Sequence, residues 1–124
     1  MSKWGSKHAM GPYIDLIAGA DTPHAVVAER INTRVEGARI AGSLVGRWRK
    51  GEVDGNPGNL SALAIAYDRN PIEAFVVAGL LDEEYALPAL TPHSVQLLGQ
   101  VRLAMTVDQM SQITGKLAPR RRRG

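Results

Sequence analysis

Thr22–Pro23, Asn70–Pro71 and Thr91–Pro92 each set a helix-capping side chain directly before a proline. The pair is a start signal with a mechanism. The capping oxygen accepts from the first free backbone N–H groups, and proline lacks the N–H that the first helical position would leave unpaired. Glu73, three residues after Asn70, completes a capping box. Nowhere does apolar/polar alternation run long enough for a strand. The chain is therefore expected to be all-helical.

The remaining helices are read between these marks. Pro12 opens a short apolar stretch, Tyr13 to Ala20, and the helix begun at Thr22–Pro23 carries Val26, Val27, Arg30 and Ile31 before ending near Asn32 to Arg34. Residues 33–41 read as an extended turn that re-enters the core at Ile40. A helix over 42–50 is stopped by Gly51 as its C′ residue. The turn formers of residues 52–59 make a loop, with Asn59 placed to cap a helix whose Leu60, Leu63, Ala64 and Tyr67 share one face. The helix from Asn70–Pro71 runs to about Leu81.

Beyond Leu87–Pro88 the pattern restarts. Thr91–Pro92 opens a stripe of Val95, Leu98, Val101 and Met105, and Thr106 with Gln109 offers a second capping box ahead of Met110, Ile113 and Leu117. This C-terminal part is too short to fold alone and must pack on the first module or on a second copy. The expected organisation is a flexible arm over 1–11, a helical module over 12–82, a C-terminal helical segment over 86–118 and a disordered basic tail over 119–124.

Composition narrows the chemistry. Aromatic residues make up only 5% of the chain, so its core must be built from Ala, Val, Leu and Ile. The absence of cysteine excludes disulfides and thiolate metal sites. No run approaches the length of a membrane span, and no signal-peptide pattern opens the chain, so a soluble, intracellular protein is expected. The net charge is +3, and subtracting the four arginines Arg120 to Arg123 leaves −1. That charge is segregated. Six cations between Arg30 and Lys50 face one acid, Glu36, while five acids between Asp68 and Glu84 face Arg69 alone. Such polarity suits one surface presented to a polyanion.

The cationic stretch contains the most informative helix. At 100° per residue, Ala41, Leu44, Val45 and Trp48 fall on one side, and Gly42, Ser43, Gly46 and Lys50 on the other, with Arg47 at its edge and Arg49 across from it. Each glycine costs a helix about 1 kcal/mol against alanine, so something is expected to come close to this face. A DNA groove is one such neighbour. Trp48, Leu44 and Val45 are assigned to packing.

Signs of catalysis are lacking. His8, His24 and His93 are far apart, with no metal-ligand spacing to one another or to a carboxylate. Asp82-Glu83-Glu84 reads as a solvated helix end, and no nucleophile elbow or phosphate-binding loop is present. No cofactor, metal or small-molecule ligand is expected.

The order of these features resembles the lambda-repressor-like helix-turn-helix family, of the Cro/CI or XRE type, over about residues 12 to 82. The resemblance rests on Ser43, Arg47 and Gly51 in a serine-x-x-x-arginine-x-x-x-glycine pattern and on Leu60-Ser-Ala-Leu63-Ala64 after an Asn/Pro loop. It rests also on the Asn70-to-Leu81 ending, which looks like regulators of actinobacteria and their phages. The turn over Thr33 to Ala41 is longer than the family's three or four residues and reads as an insertion.

The resemblance implies a five-helix module that binds double-stranded DNA as a transcriptional repressor, associated with the bacterial nucleoid. By the family's docking geometry, Gly42, Ser43, Gly46 and Arg47 lie nearest the base edges, with Arg47 the candidate for guanine O6 and N7. Arg34, Arg39, Arg49 and Lys50 suit phosphates, and Arg120, Arg121, Arg122 and Arg123 add weak tail contacts. Residues 86–118 would form a homodimer, since one helix reads only a few base pairs. The alternative is an antitoxin-like or nucleoid-coating protein, whose main role is partner binding or non-specific DNA coverage.

Overall fold

A computed structural model describes the backbone of residues 4–117 and the side chains of residues 4–107. Within it the chain is all-helical: α1 (Met10–Ala18), α2 (His24–Arg34), α3 (Gly42–Arg49), α4 (Pro57–Ala66), α5 (Pro71–Val77), α6 (Glu83–Ala86) and α7 (Pro92–Leu117), with single 3₁₀ turns at Lys7–Ala9 and Leu87–Ala89. None of these helices is long and apolar enough to cross a membrane.

Of the signals at Thr22, Asn70 and Thr91, the last two work as read. Asn70 Oδ1 accepts from Ile72 N at 3.0 Å, and Thr91 Oγ1 accepts from Ser94 N at 3.2 Å. Thr22 does something else. Its hydroxyl donates to the Ala18 carbonyl at 2.6 Å, so it closes α1 instead of opening α2. The reason lies in Gly19, whose φ of +104° folds the chain back over the end of α1. The cap of α4 is Asn56 and not Asn59: its Oδ1 accepts from Gly58 N at 2.9 Å and Asn59 N at 3.2 Å, with Pro57 at the first position. A single asparagine thus starts this helix three residues earlier than the apolar pattern does.

One core holds all of this together. Trp48, Tyr13, Met10, Ile14, Ile31, Leu60, Leu63 and Leu98 are fully buried, and each aliphatic side chain removed from water contributes about 1.5–3 kcal/mol. The first half of α7 is a wall of that same core through Ser94, Leu97, Leu98 and Val101. There is no second start inside α7. Thr106 donates back to the Arg102 carbonyl at 3.0 Å within a continuous helix.

The expected loose arm is, from Trp4 onward, part of the fold. Gly5, Ala9 and Met10 are buried, and Ser6 N donates to the Val77 carbonyl at 2.9 Å. Gly79, with φ +84°, lets this segment cross the end of α5: a Cβ there would stand 2.5 Å from the Gly5 carbonyl oxygen. Trp4 Nε1 donates to Glu83 Oε1 at 2.9 Å, and Arg102 pairs with the same carboxylate while lying over the indole ring. Glu83 is therefore a clasp between the N-terminal segment and α7, not a solvated helix end.

Glu73 is the other departure. It does not return to cap Asn70; it is fully buried, accepting from Tyr13 Oη at 2.9 Å and from Arg69 Nε and Nη2 at 2.9 and 2.7 Å. A buried carboxylate needs such partners. The bidentate hydrogen bonds raise the Arg69 pKa, and burial followed by the Glu73 charge pushes the Tyr13 phenol well above its ordinary range.

Candidate nucleic-acid interface

Helix α3 starts from Ala41, whose extended backbone offers its carbonyl to Leu44 N at 3.0 Å and Val45 N at 3.3 Å. It ends as its sequence requires. Gly51 takes φ +70°, Gly51 N donates to the Trp48 carbonyl at 3.0 Å and Glu52 N to the Arg47 carbonyl at 3.0 Å. Val45 and Trp48 are buried and Leu44 half-buried, as their apolar character demands. What remains outward is Ser43, Arg47 and Lys50, spaced i, i+4 and i+7 and so aligned in one stripe.

The two glycines do not belong to that stripe. A Cβ at Gly42 would stand 3.3 Å from Ala25 Cα, and a Cβ at buried Gly46 would stand 3.0 Å from His24 Cδ2. The neighbour that comes close to the small face is α2. Gly46 is therefore withdrawn from any groove, and Gly42 lies half-buried along the same contact. Sequence periodicity placed the glycines together with Ser43 on one small, polar side. Packing divides that side: the glycines turn to α2, and Ser43, about 100° further round, turns to solvent.

Arg49 is also committed elsewhere, with a side chain only 11% exposed. Its Nε donates to Asp15 Oδ1 at 3.1 Å, Nη1 to the Thr22 carbonyl at 2.6 Å, and Nη2 to the Gly19 carbonyl at 3.0 Å. These bonds satisfy the end of α1 and the turn into α2, so the guanidinium serves as a structural joint. Arg49 Nη1 lies 3.0 Å from His24 Nδ1 as well. A guanidinium can only donate, so in this contact Nδ1 is the acceptor. His24, an exposed residue, thus lies against both Gly46 and Arg49 of α3. No spacing in the sequence relates residue 24 to residues 46 and 49; only the crossing of α2 and α3 does.

The other expected phosphate ligands divide in the same way. Arg34 donates to the Ala66 carbonyl at 3.2 Å and pairs with Asp68 at 3.3 Å, while Arg30 donates to the same carbonyl at 2.8 Å and lies over the Tyr67 ring. The basic and acidic segments therefore partly neutralise each other at the end of α4. Arg39, Arg47 and Lys50 are exposed and, among the described residues, stand in no ion pair. Arg120 to Arg123 lie outside the described residues, as do the side chains of Met110, Ile113 and Leu117.

The three histidines lie in separate places. His8 is beside Gly51, His24 against Gly46, and His93 lines a shallow cleft with Arg69, Gln96 and Gln100. Among the described residues no group of three or more His, Asp or Glu is arranged to hold a metal ion. No protein-family model, no curated protein and no solved structure matches this chain.

Proposed function

We propose that this protein is a sequence-specific double-stranded DNA-binding regulator of the helix-turn-helix type, with α2 as the bracing helix and α3 as the recognition helix. The observation that carries the reading is the outward stripe of α3. Ser43, Arg47 and Lys50 are the only exposed residues of that helix and its last-turn cap, and the rest of it packs on the core, α1 and α2. The resemblance of Ser43-x-x-x-Arg47-x-x-x-Gly51 to lambda-repressor-like proteins supports the same assignment.

In this reading α3 lies in the major groove. Ser43 and Arg47 meet base edges, and Arg47 forms the bidentate contact to guanine O6 and N7. Lys50 neutralises a flanking phosphate and fixes register. The glycines serve the complex indirectly, by letting α2 hold α3 at a set angle. Arg49 serves it in the same indirect way.

The protein acts as a repressor by covering a promoter, as a homodimer. Leu103 and Val107, 64% and 55% exposed on a 26-residue α7, supply apolar surface for a second copy. Two-fold pairing would set recognition helices about 34–36 Å apart, one turn of DNA.

The direct test is Arg47→Ala, measured by fluorescence anisotropy on a duplex selected from random sequence, against a scrambled duplex, over a salt series. The expected result is loss of the preference between the two duplexes with weak binding kept at low salt. Equal loss on both duplexes, or no loss, would contradict the assignment.

A further inference from the structure

The extended turn between α2 and α3 is not a loose insertion. Asn32, in the last turn of α2, grips Ile40 from both sides: Nδ2 donates to the Ile40 carbonyl at 2.8 Å, and Ile40 N donates to Oδ1 at 2.7 Å. That reproduces with one side chain the paired bonds of two facing strands. Inside the grip, Ala38 N donates to the Val35 carbonyl at 3.1 Å, closing a four-residue turn whose third residue, Gly37, has φ +84°. This is the requirement of a type II turn. The Ile40 side chain is buried in the core, so the turn is fixed at its far end as well. Arg39, between the turn and its anchor, is exposed, and its backbone has little freedom.

We infer that this turn is a second, preformed reading element and that Arg39 contacts a base edge next to the pairs met by Ser43 and Arg47, with Asn32 as its positioning residue. The inference rests on the DNA-binding reading above. Three observations carry it. Arg39 lies three residues before the first residue of α3, on the N-terminal side of that helix, and it is the N-terminal end of a recognition helix that meets base edges. The segment between the last residue of α2, Arg34, and the first of α3 carries one acid and one base, Glu36 and Arg39, both exposed. A segment of zero net charge adds almost nothing to counterion-driven, sequence-independent affinity, and Glu36 would oppose a position on the phosphate backbone. Last, a two-sided clamp is unnecessary for a cation that only has to lie near a phosphate, whereas bidentate contact to guanine needs the guanidinium fork delivered in one orientation.

The test uses the full chain and duplexes selected from random DNA. Arg39→Ala should remove preference at one base pair beside the central motif, by about five- to a hundredfold. Preferences at the other positions should stay as they were. Asn32→Ala, with Arg39 still present, should blur preference at that same pair, while circular dichroism reports whether the helices persist. Because Arg39 is exposed, its replacement does not threaten the fold and decides the matter even if Asn32→Ala unfolds. An even loss of affinity over all duplexes, with the salt slope reduced by about one, would make Arg39 a phosphate ligand and overturn the inference. An unchanged profile would make it a solvent-facing arginine and overturn it too. In either case the Arg47 preference would survive and the DNA-binding reading with it; failure of the unmodified protein to select any DNA would instead remove that reading.

Discussion

Tyr13 and Glu73 stand 60 residues apart in the chain, and the phenol donates to the buried carboxylate at 2.9 Å. Arg69 closes the arrangement from the other side with a bidentate pair, 2.7 Å at its shorter contact. A charged group in the middle of an Ala/Leu/Val core joins α1 to the start of α5, and its partners leave no buried side-chain polar atom unsatisfied among the described residues.

That link sets how stability responds to alkali. Burial, and then the charge of Glu73, raises the Tyr13 pKa, so the folded state holds the phenol proton more tightly than the unfolded chain does. An unfolded tyrosine titrates near pH 10. Below that, both states are protonated and the contribution is complete; above it, the unfolded state loses a proton that the folded state keeps. Stability should therefore fall from about pH 10 upward, by up to about 1.4 kcal/mol per pH unit from this group. Tyr67, raised mainly by its own burial, adds in the same direction. Urea melts from pH 8 to 11 should show the decline in the parent protein and a much shallower one in Tyr13→Phe. That variant should also be less stable at pH 8, by about 1–2 kcal/mol, for the lost hydrogen bond.

Arg49 separates a structural role from a DNA-contacting one. Arg49→Lys keeps the charge but cannot reproduce a fork that reaches Asp15, Gly19 and Thr22 together. It should lower stability by about 2–3 kcal/mol, seen as a fall in Tm without any DNA present. A phosphate ligand would behave in the opposite way, with Tm unchanged and DNA affinity reduced.

Gly11 tests the crossing of α1 and α3. A Cβ there would stand 2.5 Å from the Arg49 carbonyl oxygen, which is backbone and cannot swing aside. Alanine would gain about 1 kcal/mol of helix propensity and still destabilise, by roughly 2–3 kcal/mol net, because the two helices must separate. A denaturant midpoint equal to or above that of the parent would show that α1 and α3 are not held this closely.

Much of this architecture is legible in the chain because it is local. A cap, a proline or a stop glycine acts within four residues of itself, which is why the end of α3 at Gly51 and the start of α7 at Thr91 follow from the sequence. What is not legible depends on which helix comes near which. Glu73 fits the capping-box spacing and is instead claimed by Tyr13 from a distant helix. Arg49 carries the charge of a phosphate ligand and is claimed by three backbone and side-chain acceptors around Gly19. The glycines of α3 do signal a close neighbour, but periodicity cannot say that the neighbour is α2.

The stripe of Ser43, Arg47 and Lys50 is the centre of the functional account, and selection from random duplex DNA at near-physiological salt tests it most directly. The unmodified protein should enrich a near-palindromic motif with half-sites about one helical turn apart, and Arg47→Ala should fail to enrich it. Enrichment of no motif, or of the same motif by Arg47→Ala, would contradict the claim that α3 reads DNA through this stripe.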